Sequence, residues 1–226
     1  MEKTVINKEA FAFVKTLAAN NNRDWFNEHK DQYKLLETGV KEFYQQLMEQ
    51  MRLHDDIERL KMFRIYRDVR FSKDKTPFKT HFAGSFSRAG DRLRGGYYLR
   101  LKPGETFIAA GFWEPNKEDL LRIRKELEMD ATVFRKVFSE PVFRKTWGSI
   151  TGEELKTAPK GFEKDHPDID LIRKKQFIFV RNFTDAEVFS PDFHNQVNDS
   201  FKRIRPYFDL MSDILTTNLN GESLLD

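Results

Sequence analysis

YYLRLKPGETFIAAGF, residues 97–112, decides how the rest of the chain is read. Tyr97–Leu101 and Thr106–Phe112 read as strands. Aromatic and β-branched side chains suit a pleated, half-buried surface. Between them, Lys102-Pro103-Gly104-Glu105 reads as a hairpin turn, because proline presets its φ and glycine accepts φ > 0. Upstream, Thr80–Phe86 gives another strand, joined to Tyr97 by the basic, glycine-rich loop SRAGDRLRGG. Ile65–Phe71 and Lys175–Asn182 are further strand candidates. Three neighbouring strands in a meander predict an antiparallel sheet.

Helical periodicity lies on both sides of this centre. Asn7 caps a helix expected to reach about Ala19, with Phe11, Val14, Leu17 and Ala18 on one face. A second helical segment runs from about Arg23 to about Leu53. Its apolar residues recur every three, four or seven positions, and Gly39 marks a bend. After Trp113-Glu114-Pro115, helices are expected at Lys117–Leu127 and Thr132–Phe138. Thr151–Pro167 reads as irregular. Pro191 to about Leu219 is helical, with an interruption at Pro206, where a ring clash and a missing donor break the ladder. The expected fold class is α+β: one domain over residues 1–226, with a central antiparallel sheet flanked by N-terminal and C-terminal helices.

Composition limits the chemistry. The 226 residues are 39% hydrophobic and 33% charged, include 22 Phe, and carry a net charge of only +3. Such a chain can build a real core and is not a general polyanion coat. There is no Cys, so disulfides and thiolate chemistry are excluded. No run approaches the roughly 20 apolar residues that span a bilayer, and the first residues lack a signal peptide's apolar core. A cytoplasmic protein with no membrane partner is expected.

Positive charge is concentrated in FRIYRDVRFSKDKTPFKTHF, residues 63–82. Arg64, Arg67, Arg70, Lys73, Lys75 and Lys79 alternate there with apolar side chains. Unpaired buried cations cost several kcal/mol, so this density of charge among apolar residues points to convergence on an anion. As a strand, the segment would place Arg67 on an otherwise apolar face. There it would need a carboxylate or a bound anion, and its planar fork suits either. The plainer reading is a set of internal ion pairs with Asp24, Asp68, Asp74 and Glu114.

Two other clusters stand out. NNNRDWF, residues 20–26, puts Arg23 and Trp25 at a helix start, where anions are favoured; a capped helix with Trp25 in the core is the plainer alternative. LKTAPKGFEKDHPDIDLIRKK, residues 155–175, holds Lys160 and His166. Its Asp165, Asp168 and Asp170 have metal-ligand chemistry, but their spacing matches no calcium loop and five cations crowd them. No metal or cofactor is expected. The signatures of phosphate loops, dinucleotide folds, serine hydrolases and zinc proteases are missing.

Taken in order, these clusters and the hairpin resemble the bacterial and fungal family called domain of unknown function 2461, from about Phe11 to about Leu215. The strings RDVRFSKDKTP and PKGF…HP carry the resemblance. It implies one domain over most of the chain. The family is uncharacterised and supplies no catalytic residues to carry over.

The functional expectation therefore rests on the residues. A small phosphate- or carboxylate-bearing ligand would sit in an Arg/Lys-rich cleft beside the sheet, held by Arg64, Arg67, Arg70, Lys73, Lys75, Lys79, Arg23 and Lys160. Trp25, Tyr66 or Trp113 would stack on its organic part. His166 or Asp68 is the proton-transfer candidate if the protein is an enzyme. One alternative is a nucleic-acid-binding module, to which Arg88, Arg92 and Arg94 would add charge. Another is a non-enzymatic scaffold. Oligomeric state is left open.

Overall fold

The computed structural model describes residues 4–225. Five strands form one antiparallel sheet in the order β1-β2-β3-β4-β5: Ile57–Met62, Phe82–Arg88, Gly96–Leu101, Thr106–Phe112 and Phe177–Phe183. Helices flank it, so the α+β class holds. The chain packs into two compact units.

The first unit takes residues up to Phe86, Tyr98–Ile108 and Asn182–Asp199. It contains α1 (Lys8–Ala19), α2 (Arg23–Glu28) and α3 (Lys30–Met51). Asn7 and Asn22 cap α1 and α2 by accepting from Glu9 N and Trp25 N. The segment expected as one long helix is two, because His29 ends α2 and begins α3. Gly39 lies inside α3 and makes no break. Tyr44, on α3, is fully buried, and its hydroxyl donates to Leu99 O at 2.9 Å. Gly84 makes room for that ring, since a Cβ there would stand 2.8 Å from it. In the Lys102–Glu105 turn, Gly104 has φ +72°, as the hairpin reading requires.

The second unit takes Ser87–Tyr97, Ala109–Arg181 and residues from Ser200 onward. It holds α4 (Lys117–Met129), α5 (Thr132–Ser139), α6 (Pro141–Trp147) and α7 (Ile169–Ile172). After α8 (Asp185–Val188), α9 (Phe193–Arg203) and α10 (Arg205–Thr216) meet just before Pro206, close to the expected interruption. Tyr207 anchors this core: its hydroxyl donates to Phe177 O at 2.9 Å, and Phe134, Phe138 and Phe179 meet its ring edge-on or tilted. Such ring pairs add about 0.5–1.5 kcal/mol each beyond their buried area.

Two strand expectations change. Ile65–Phe71 is not a strand; a single antiparallel bridge, Tyr66 to Phe78, marks where the segment folds back on itself. The edge strand β1 lies where no strand was expected. Only Ile57 of its six side chains is buried, so no period-2 pattern shows in the sequence.

Candidate functional site

The basic segment is a loop on a narrow stem in the first unit. Arg67 N donates to Pro77 O at 2.8 Å and Lys79 N to Ile65 O at 2.7 Å, which closes residues 68–76 into a lobe. Asn21 clamps the stem's other edge. Its side chain accepts from Phe78 N at 3.1 Å and donates to Phe78 O at 2.9 Å. Phe26 stacks on Phe78 at 4.1 Å and meets Tyr66 at 5.9 Å. Residues 20–26 and 63–82, separate clusters in the sequence, are thus joined.

Much of the loop's charge is engaged internally. Arg67 donates to Asp74 at 2.5 Å, to Thr76 O at 3.1 Å and to the Thr76 hydroxyl. It staples the lobe instead of standing on an apolar strand face. Backbone and hydroxyl hydrogen bonds from Thr76, then Arg67, hold the Asp74 carboxyl down at about 2. Arg70 grips Asp68 through two nitrogens at 3.0 and 2.7 Å, and that contact keeps Asp68 below its ordinary range. A carboxylate so clamped is a weak proton acceptor. Lys75 donates to Val69 O at 2.9 Å and Lys79 to Arg64 O at 2.9 Å. Lys73 is exposed.

Arg64 differs. Among the described residues its guanidinium has no ion pair. It borders a cavity of about 200 Å³ whose wall also includes Phe26, Lys30, Tyr33, Lys34 and Tyr66. Lys30 and Lys34 are one turn apart on α3, so both face the same side. Lys34 has only an exposed contact of 3.4 Å with Asp31. Glu37 is the carboxylate in this wall, and it is already bound by the Tyr33 hydroxyl at 2.7 Å and by Lys41 at 2.6 Å. Burial and Glu37 push the Tyr33 hydroxyl well up, so it stays protonated. The cavity therefore offers three cations, three aromatic side chains and a carboxylate that is already satisfied.

None of the remaining candidates is among the residues that line this cavity. Arg23 is exposed, and Trp25 stacks on His29 at 4.0 Å and packs on Phe13 at 5.6 Å. Trp113, Lys160 and His166 belong to the second unit, where Trp113 and Lys160 are exposed. Both ring nitrogens of His166 are committed: Nε2 donates to Glu128 O and Nδ1 accepts from Asp168 N, each at 3.1 Å. Asp168 and Asp170 are gripped by Arg135, each at 2.6 Å. Arg88 is buried, with 4% of its surface exposed, donating to Arg94 O at 2.8 Å, and Arg94 pairs with Asp119. Two of the three arginines expected to present charge from that loop thus make internal contacts.

Residues 9–210 match the family model described as Conserved hypothetical protein (DUF2461). The chain belongs to this family. No curated protein and no solved structure matches it. In this DUF2461 chain, Lys30 and Lys34 fall within the second helical segment of the sequence and outside its three clusters, whereas Phe26 closes the cluster at residues 20–26. The four-residue spacing of Lys30 and Lys34 was the signal available. What the sequence could not show is the folding back at Tyr66 and Phe78 that brings Arg64 against α3.

Proposed function

We propose that this protein binds a small phosphate- or carboxylate-bearing ligand in the cavity between α3 and the basic loop. The carrying observation is Arg64, a cation with no ion pair, beside Lys30 and Lys34 over an aromatic wall. Arg64 supplies a planar fork for the anion, the two lysines add point charge, and Tyr66, 44% exposed, covers the organic part. The staple Arg67–Asp74–Thr76 fixes the loop that presents Arg64 and Tyr66. A cytoplasmic setting suits such a ligand. Binding is the proposed activity.

A thermal-shift screen of nucleotides, sugar phosphates and organic acids tests this reading. At least one class should raise the melting temperature, because a ligand that binds only the folded state stabilises it by mass action. Arg64→Met should abolish the rise, and Arg92→Met should leave it intact. No rise with any anion, or a rise that Arg64→Met does not alter, would remove the proposal.

A further inference from the structure

The first unit carries a second cationic cluster, none of whose residues lines the Arg64 cavity. On β3, Tyr98 and Arg100 alternate with the buried Leu99 and Leu101, so they occupy the face opposite those core residues. Phe63 meets Tyr98 at 6.1 Å, and Tyr98 meets Phe107 at 5.6 Å. Three rings thus cross the strands in a row. Cations stand on them: Lys61 and Lys79 each 5.6 Å from the Phe63 centroid, and Arg100 4.3 Å from that of Phe107.

His81, just before β2, is half-buried in the field of this group. Burial, then Arg100, Lys79 and Lys102, hold its imidazole down at about 4, while Glu105 acts in the other direction. Glu105 itself is engaged by Lys102 at 2.5 Å and Arg100 at 3.3 Å. Cations therefore outnumber carboxylates around a histidine that is neutral at neutral pH.

We propose that Lys79, Arg100, Lys102, Tyr98 and His81 form a second anion site that takes a phosphate group, with His81 as its proton-accepting partner. Lys79 is held by Arg64 O at 2.9 Å and the Phe63 ring, and Arg100 by Glu105 O at 3.0 Å and the Phe107 ring, so binding loses little further side-chain freedom. The Tyr98 hydroxyl, which burial keeps protonated, is an available donor. Lysines and an arginine occupy the ring faces that the bases of a strand would need, which favours a compact phosphate over a nucleic acid. An anion there opposes the cations that add to burial in lowering His81, so binding and protonation strengthen each other.

The test follows the His81 ring resonances by NMR through a pH titration, in inorganic phosphate and in chloride at equal ionic strength. His81→Asn assigns the signal. Phosphate should raise the His81 midpoint by about one unit, a tenfold linkage. It should move the other four histidines less. Arg100→Met should shrink the response, and Arg64→Met should leave it, which separates this site from the Arg64 cavity. A His81 midpoint equal in phosphate and chloride overturns the proposal. A response to oligothymidylate but not to phosphate also overturns it, in favour of strand binding.

Discussion

His81 should make folding sensitive to pH between about 6.5 and 4. Its folded value is lowered from 6.5 to about 4, so the unfolded chain binds the extra proton across that window. The stability is present in full above about 6.5 and is lost as pH falls toward 4. The full shift corresponds to about 3 kcal/mol, and solvent screening of this half-buried ring reduces it to roughly 1–2 kcal/mol. His81→Asn should flatten that slope in denaturant melts run from pH 7 to 4; an unchanged slope would show that another group carries it. Asp74 acts lower on the scale. Its depressed carboxyl stabilises the lobe above about pH 3.8, and that support disappears as pH falls through about 2. Arg67→Met removes the same staple at neutral pH. It should expose residues 68–76 to limited proteolysis well before Arg92→Met has any effect, and equal cleavage rates would contradict the staple. The sequence named Asp68 and Asp74 among the expected partners of this segment, because short separations make those pairs available. It could not assign Arg67 to the lobe, since that follows from a backbone reversal that no glycine marks.

Two glycines separate packing from propensity at the scale of the elements. At Gly84 on β2, a Cβ would stand 2.8 Å from the Tyr44 ring and 2.9 Å from the Met62 sulfur. Tyr44 is fully buried and bonded to Leu99 O, so it cannot yield. Gly84→Ala should cost about 1–3 kcal/mol by overpacking. Nothing lies within 4 Å of a Cβ at Gly39 in α3, and Gly39→Ala should gain about 1 kcal/mol. Urea midpoints shifting in opposite directions would confirm both assignments; a loss at Gly39 would show that the helix needs its flexibility. The strands at 96–101 and 106–112 were legible because their faces differ in burial and a Pro-Gly turn joins them. The strand at 57–62 was not, because only Ile57 of its six residues is deeply buried. The break at His29 was also hidden. No glycine or proline stands there, and the turn is closed by contacts of His29 itself, including Nδ1 to Trp25 O at 2.8 Å.

For the whole molecule, charge placement matters more than the net charge of +3. Arg67, Arg70, Arg88, Arg94 and Arg135 all pair internally, which takes them out of the charge that a phosphate track would use. Oligonucleotide binding should be weak, with a salt slope no steeper than about −2, from about three contacts on a single strand. Titrations at two salt concentrations check this, and tight binding at physiological salt would favour a nucleic-acid role. Among the described residues no helix is long and apolar enough to cross a membrane. The concentration of positive charge in residues 63–82 is plain in the sequence, yet the cavity depends on α3 meeting that loop, a long-range pairing with no local pattern. The most direct measurement is a crystal soaked in tungstate, a phosphate mimic located by its anomalous signal. An ordered peak beside Arg64, within reach of Lys30 or Lys34, is the expected result. Peaks elsewhere on the molecule with none at Arg64 would contradict the proposed binding site.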